Sequence, residues 1–505
     1  MRYRPPGIID HLNGLMARHG WLRDEDLRAA AEVLGVPLHR VEGVASFYPL
    51  YRRSPPAAVT VHVCRDLSCS MRGGEEAIAQ LTAAAAARER ETGERHEVVR
   101  SSCLGRCDQA PACLVHHVPM DMESMRRTLV AAAASEPPAA EPCAPKRLAC
   151  DPYAGAWGDR YATVRRIAEG GAAAADQVLA ALADAGLRGM GGAGFPTARK
   201  WGFVRGASGD EKFVICNADE SEPGTFKDRE LLRSAPHLVW EGMMIAALVV
   251  GARRCITYIR HEYEPERANL ERERARAQEV ADALGITLEI FVSPGGYIQG
   301  EETALLEALE DRRGEPRNKP PFPGIEGLFG LPTLINNVET LTMVTAIVAR
   351  GARWWKEQGV NGCHGLKLLS VSGDVEAPGV YEVPMGTTLA ELIERAGGVL
   401  GGAPLLAVLP GGASSSFLPA DKADTPLDFD RLAAAGSTLG SGGVVVVAEG
   451  RRLLDLGVSL TRFFRNESCG KCVPCRIGTT KAVTLLEEMS EGTAPARALA
   501  LLDEL

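Results

Sequence analysis

The 505-residue chain has no uninterrupted apolar run as long as a bilayer span, which takes roughly 18 to 20 residues; runs such as 242–252 break off well short. Its start, MRYRPPGIIDHLNGLM, has a basic tip but lacks the apolar core of a secretory signal. There is no excess of positive charge either. Lys and Arg number 56 against 65 Asp and Glu, a net −9, which argues against nucleic acid or an anionic membrane surface as the main partner. No internal repeat is visible. These absences predict a cytoplasmic protein without membrane insertion. What is present is ordinary globular composition, 46% hydrophobic and 24% charged, in a chain long enough for about three or four domains.

Thirteen cysteines are many for a reducing compartment, where thiols serve as metal ligands or buried side chains rather than disulfides. Four fall in two tight pairs, Cys64/Cys69 (CRDLSC) and Cys103/Cys107 (CLGRC). Three more crowd one turn, Cys469, Cys472 and Cys475 (SCGKCVPCR). The others, Cys113, Cys143, Cys150, Cys216, Cys255 and Cys363, stand alone and read as structural or incidental. C-x2-C-x2-C can hold three corners of a [4Fe–4S] cubane, which needs a fourth ligand, and zinc accepts the same spacing. The two pairs together suit a [2Fe–2S] cluster, a zinc ion or a site that has lost its metal.

Apolar positions recur at three and four through residues 7–51, which predicts short helices forming a cap. VTVHVC, an Ala-rich helix and EVVRSSCLGRC then predict a small α/β sandwich ending near Arg127. The small, Pro-rich text of 131–145 has the composition of a linker. Beyond it lies an α/β region with strand-like FVICNA and CITYI. Two strands and an amphipathic helix in KLLSVSGDVEAPGVYEVPMGTTLAELIERAGG suggest a β-grasp, and the strand GGVVVVAE leads into helical text carrying the cysteine triple. The expected units are 1–130 (cap and sandwich), 131–150 (linker), 151–355 (α/β), 356–440 (β-grasp) and 441–505 (helical).

The stretch GLRGMGGAGFPTARKW gathers Gly186, Gly189, Gly191, Gly192 and Gly194 ahead of a helix. Glycine lets backbone N–H groups close on a phosphate and the helix N-terminus adds attraction, although a tight turn alone would look the same. CNADESEPGTFKDRELL crowds Asn217, Asp219, Glu220 and Glu222 at a strand end, which also fits a solvated acidic loop. SPGGYIQGEETALLEALE carries Tyr297 and sets Gly300 before Glu301 and Glu302 in a first helical turn, where the dipole favours ionised carboxylates. RNKPPFPGIEGLFGLPTLINNVETL presents Lys319, Phe322 and the amide pair Asn336/Asn337.

These four stretches in this order, followed by SCGKCVPCR, resemble the flavin-bearing NADH-oxidising subunit of respiratory complex I and its soluble relatives, the diaphorase subunits of NAD-linked hydrogenases and formate dehydrogenases. The match runs from about residue 150 to the end. The first 130 or so residues resemble the thioredoxin-fold [2Fe–2S] subunit that accompanies it. The resemblance implies an α/β multidomain fold with a thioredoxin-like ferredoxin domain, an FMN-binding domain, a β-grasp (SLBB-like) domain and a helical [4Fe–4S] domain.

It also implies roles. Gly189, Gly191, Gly192 and Gly194 would wrap FMN and the entering nucleotide, and Lys200 would lie near the flavin phosphate, a task suited to a compact ammonium. Asn217, Asp219 and Asn337 match FMN contacts, with Glu220, Tyr297, Gly300, Lys319 and Asn336 in the same cofactor-binding stretches. Glu222, Glu301 and Glu302 match acids around the nicotinamide, the first two as catalytic candidates, and Phe195, Phe203 and Phe322 match the adenine sandwich. Gln299 departs from the pattern, standing where many relatives carry cysteine. Cys64, Cys69, Cys103 and Cys107 would hold [2Fe–2S]; Cys469, Cys472 and Cys475 would hold [4Fe–4S], whose fourth ligand is expected beyond residue 505.

Such parts compose a converter: NAD(H) exchanges a hydride, iron–sulfur clusters carry single electrons, and FMN connects them. The expected function is the NAD(H)-linked β subunit of a formate dehydrogenase whose partner α subunit holds a molybdenum or tungsten pterin and further clusters. A hydrogenase diaphorase, a fused complex I subunit and a flavin-free electron-transfer scaffold are the alternatives.

Overall fold

The computed structural model describes residues 7–115, 118–120, 122, 146–154 and 159–505. Four short strands, β1 (Val59–Cys64), β2 (His96–Ser101), β3 (Cys113–Val115) and β4 (Val118–Met120), form a sheet in the order β2-β1-β3-β4. Only β1 and β2 run parallel. The alternation of VTVHVC turns Val59, Val61 and Val63 toward Ala77, Ile78 and Leu81 of the helix Gly74–Thr92. This is the expected sandwich. Its end near Arg127, the expected linker from 131 to 145 and Cys143 lie outside the described residues. The last five residues of the expected linker, 146–150, are packed chain instead. Leu148 and Cys150 join the main core, Lys146 N donates to Ser234 Oγ at 2.9 Å, and Cys150 N donates to Glu382 Oε1 at 2.8 Å.

The central sheet is parallel throughout: β5 (Phe213–Ala218), β6 (Arg254–Arg260), β7 (Thr287–Ser293) and β8 (Thr333–Asn337), in the order β7-β6-β5-β8. The helices Ala162–Ala185, Pro236–Val250 and Val338–Arg350 share one core with this sheet. The cap helices, Ile8–His19, Asp24–Leu34 and Leu38–Phe47, join another. Their Ile9, Leu12 and Val41, with Leu22 of the first connection, pack with Ile215, Ile256, Tyr258, Phe291 and Leu305. The cap therefore belongs by its core to the central parallel sheet and not to the sandwich that follows it in sequence. An amphipathic pattern shows that a face is buried without naming the sheet that buries it.

A third sheet comprises β9 (Leu366–Gly373), β10 (Gly379–Pro384), β11 (Leu405–Leu409), β12 (Leu418–Pro419) and β13 (Gly443–Ala448), in the order β10-β9-β13-β11-β12. Strand β13, expected to open the helical region at 441, is the middle strand, parallel to β9 and antiparallel to β11, and every residue of it is buried. The helices Leu453–Asn466, Thr479–Glu491 and Ala498–Asp503 follow. Among the described residues no helix is long and apolar enough to cross a membrane.

Helix Pro236–Val250 is buried almost all round, including Glu241 at 0% exposure. Glu241 Oε1 accepts from Tyr153 Oη and Val164 N, each at 3.0 Å, and Oε2 has no partner among the described residues. Burial pushes its carboxyl up to about 7. A proton held more tightly in the folded state adds stability that is complete below the unfolded carboxylate pKa of about 4.3 and is lost as the pH rises through 7. Glu241→Gln is expected to flatten the fall in unfolding free energy between pH 5 and 7 by up to about 3 kcal/mol. An unchanged slope in urea titrations across that range would contradict this.

Candidate functional site

The chain lays down β5, β6 and β7 in one direction and then returns to β8 on the other side of β5. Open parallel sheets bind ligands beyond the carboxyl ends of their strands at such a reversal. The candidates from two distant motifs meet here, because Cys216 pairs with Asn336 and Asn217 with Asn337 in register. Asn217 Nδ2 donates to Gly300 O at 2.8 Å, which draws the Glu301 loop to the same end. Asp219 is buried with Oδ2 unpartnered among the described residues, and burial pushes its carboxyl up to about 6. Burial likewise pushes Glu220 up to about 7, although it accepts from Asp228 N and Arg229 N.

The Gly-rich stretch is a closed loop ahead of the helix Thr197–Gly206. Gly189 N donates to Phe195 O at 2.9 Å and Arg188 Nε to Gly194 O at 2.7 Å. Gly194 has φ +61, and a Cβ there would lie 2.9 Å from the Phe429 ring; a Cβ on Gly191 would lie 3.0 Å from Asn337. At Gly189 the nearest protein atom would be 3.5 Å away and φ is not positive, so the fold alone does not demand glycine there. A glycine that the fold does not require, on a loop whose Gly191 lies against the strand end at Asn337, leaves backbone N–H groups able to approach an anion, and the residues present fit a flavin phosphate.

Around this loop the expected acidic crowd is charge-balanced. Lys200 Nζ pairs with Glu302 at 3.0 Å, while Lys319 Nζ pairs with Glu301 at 2.9 Å and Glu302 at 3.1 Å. Glu301 is not within the helix Glu302–Leu309 but caps it, accepting from Thr303 N and Ala304 N. Phe195, Phe203 and Phe322 are 43%, 59% and 56% exposed, with the Arg199 guanidinium 5.6 and 5.9 Å from the first two ring centroids. They offer ring faces to a flat ligand. Asn336 is committed to Trp201, whose Nε1 donates to its Oδ1 at 2.8 Å. Gln299 is wholly buried and accepts from Tyr258 Oη at 3.2 Å.

Two groups escaped sequence reasoning. The β-grasp loop LPGGASSS closes on Glu222: Ser414 N donates to Glu222 Oε1 at 2.6 Å, Tyr297 Oη donates to Oε2 at 2.6 Å, and a Cβ on Gly412 would meet Glu222 Cγ at 2.6 Å. Burial raises the Glu222 carboxyl. The Gly and Ser run of the loop was the available signal. The second is Lys227, fully buried, which donates to Asp228 and to Asn337 Oδ1 and gave no signal beyond its charge.

The thiols of Cys64, Cys69, Cys103 and Cys107 are at most 5% exposed, and Cys103 Sγ lies 3.8 Å from Cys107 Sγ. Hydrogen bonds with Cys103 and Cys69 hold the Cys64 thiol well up, whereas those from Cys107 and Cys64 favour the thiolate at Cys103. Among the described residues no three His, Cys, Asp or Glu side chains gather as ligands of a single ion. Cys469 and Cys472 lie on the loop after helix Leu453–Asn466 and Cys475 in the helical turn Pro474–Gly478; Cys472 is exposed and Cys475 Sγ is 3.2 Å from Ser468 Oγ. Glu467, just before them, accepts from Tyr297 N at 2.8 Å and pairs with Ser102 beside Cys103.

Comparison with known proteins agrees with this layout. The NADH-quinone oxidoreductase F 2 subunit of Rhizobium meliloti is 44% identical over 339 residues, 65% of this chain and 80% of that one. The chain belongs to the family of NADH-quinone oxidoreductase F subunits. The F subunit of Mycobacterium tuberculosis is 41% identical over 346 residues, 66% of this chain and 78% of its own. The Nuo51 FMN-binding domain matches residues 182–346, the SLBB domain 368–417, and the NADH-ubiquinone oxidoreductase-F iron–sulfur binding region 456–505. The thioredoxin-like [2Fe–2S] ferredoxin matches residues 2–131, so the fold of the F subunits is joined here to a ferredoxin domain. A chain of the NAD+-reducing [NiFe]-hydrogenase in its air-oxidised state resembles the whole, with a TM-score of 0.86, 35% identity, and 99% of this chain and 88% of that chain covered. The chain thus carries FMN-binding, [2Fe–2S] and [4Fe–4S] domains.

Proposed function

We propose that the chain is the NAD(H)-reacting subunit of a multi-subunit oxidoreductase and feeds or draws single electrons through its clusters. The observation that carries this is the β5/β8 reversal, where Gly191 of the Gly-rich loop lies against Asn337, the strand partner of Asn217, and the helix that follows the loop joins the Lys200/Lys319/Glu301/Glu302 ion-pair cluster. Bound FMN supplies hydride exchange with NAD(H) on one side and single electrons on the other. The chain's own residues bind and orient. Gly189 leaves room for the flavin phosphate near Lys200, the phenylalanine faces receive the adenine, and Asn217, Asp219 and Glu220 line the strand end. Glu222, locked by Tyr297 and Ser414, fixes the nicotinamide side, and Glu301 holds Lys319 in line while capping its helix. Hydride transfer needs alignment rather than a side-chain acid or base.

For the partner, the first reading is an NAD-dependent formate dehydrogenase, whose second chain would hold a molybdenum or tungsten pterin; the fused ferredoxin domain supports a multi-subunit enzyme of either this or the next kind. Likeness over 99% of the chain to the NAD+-reducing [NiFe]-hydrogenase favours a hydrogenase diaphorase as the second reading. Metal analysis of the co-purified complex separates them, molybdenum or tungsten against nickel. The purified chain is expected to hold one FMN and to reduce a one-electron dye with NADH. A protein that retains no FMN after incubation with it and is inert toward NADH would leave only the flavin-free scaffold.

A further inference from the structure

Two buried arginines of the flavin-side domain grip the backbone of the Cys103–Cys107 loop. Arg260, 2% exposed at the carboxyl end of β6, donates through Nη2 to Cys103 O at 2.7 Å and through Nη1 to Glu220 O. Arg229 donates through Nη1 to Gly105 O at 2.6 Å and pairs with Asp108 at 2.6 Å. Gly105, at φ +67, lies so close over Tyr263 that a Cβ would fall 2.3 Å from its hydroxyl, and that hydroxyl donates to Glu220 Oε2 at 3.0 Å. Each guanidinium is compensated. Glu262 accepts from Arg260 Nε at 3.0 Å and Nη2 at 2.9 Å, and its carboxyl is held far below the usual range, with the Arg260 charge overcoming burial.

We propose that Arg260 is a positioning residue that joins the flavin-side strand end to the N-terminal cluster and raises that cluster's reduction potential. One guanidinium spans the carbonyl of Glu220, a candidate flavin-site residue, and the carbonyl of Cys103, a candidate cluster ligand. Reduction adds one negative charge to the cluster, and N–H groups directed at a ligand's peptide stabilise that added charge. In a buried setting such donors are worth more than in water.

This inference rests on the reading that Cys64, Cys69, Cys103 and Cys107 hold [2Fe–2S]. The test is a redox titration of the full chain, followed by the electron paramagnetic resonance signal of that cluster. Wild type without iron or signal would sink the underlying reading; a signal that ignores Arg260 would sink only the inference. Arg260→Met alone strands Glu262, so the informative variant is Arg260→Met with Glu262→Gln. It is expected to lower the reduced-to-oxidised ratio at fixed potential at least tenfold, about 59 mV for one electron. Arg260→Lys keeps the charge but reaches one carbonyl, and should fall between. Glu262→Gln alone should shift the potential upward. A double variant that titrates with wild type overturns the proposal. If the double variant loses its cluster, an unmoved Glu262→Gln potential overturns it.

Discussion

Lys227→Met is expected to cost about 3 to 5 kcal/mol of stability, the usual penalty for stranding buried charge. Lys227 Nζ sits 2.6 Å from Asp228 Oδ1, 3.0 Å from Glu339 Oε2 and 3.2 Å from Asn337 Oδ1, with no exposure to solvent. Burial alone would lower the ammonium pKa, but Asp228, Glu339 and Glu220 overcome it and keep the lysine charged. Methionine fills the space without the charge and leaves those carboxylates facing one another. Lys367 offsets only part, since it already pairs with Glu339 and burial pulls it down to about 8. Asn337, which lies under Gly191, would keep its bonds with Asp228 and Glu339 N but lose the one from Lys227, so flavin retention should fall as well. Guanidinium unfolding checks the first effect and flavin content after gel filtration the second. Adding Asp228→Asn should recover part of the stability, because it removes one stranded charge. A loss below about 1 kcal/mol for the single variant would mean that the network is hydrated or neutral.

The legible part of the site was local in sequence. Glycine spacing, the cysteine triple and pairs, and the acidic strand end are compact motifs whose chemistry is written within a dozen residues, and the structure brings Asn217 and Asn337 together as strand partners. What escaped was long-range. The Ser414 to Glu222 bond spans 192 residues and the Arg260 to Cys103 bond spans 157, and no periodicity carries such pairings. Strand β13 was recognisable as a strand because Gly443–Ala448 is valine-rich. It could not be assigned to a sheet, since a strand buried on both faces has no alternation from which to read a partner. The acids were visible, but their neutralisation by Lys200 and Lys319 came only with the fold.

Cys472→Ala in the assembled complex is expected to abolish NAD-linked turnover with the partner chain while leaving NADH-to-dye activity within a few-fold of wild type. Cys472 is exposed on a loop tied to the flavin-side domain by Lys471 Nζ donating to Pro316 O, so its loss should empty the [4Fe–4S] site at little cost to the fold. Electrons leaving the flavin would then have no outlet toward the partner. Cys64→Ala should erase the [2Fe–2S] resonance signal yet retain most turnover, because the N-terminal cluster is expected to be a side branch. The structure sharpens this contrast. The sequence suggests a ferredoxin domain standing apart behind a linker, yet Ser102 beside Cys103 pairs with Glu467, two residues before Cys469, so the two cysteine loops share a contact. Emptying the Cys64 site could therefore disturb the C-terminal loop mechanically, and the [4Fe–4S] signal and flavin content must be recorded in the same sample. If both persist in Cys64→Ala while turnover is lost, the N-terminal cluster lies on the main path. If both persist and turnover survives, electrons bypass the N-terminal cluster, whose Cys103–Cys107 backbone Arg229 and Arg260 hold, and it is a side branch.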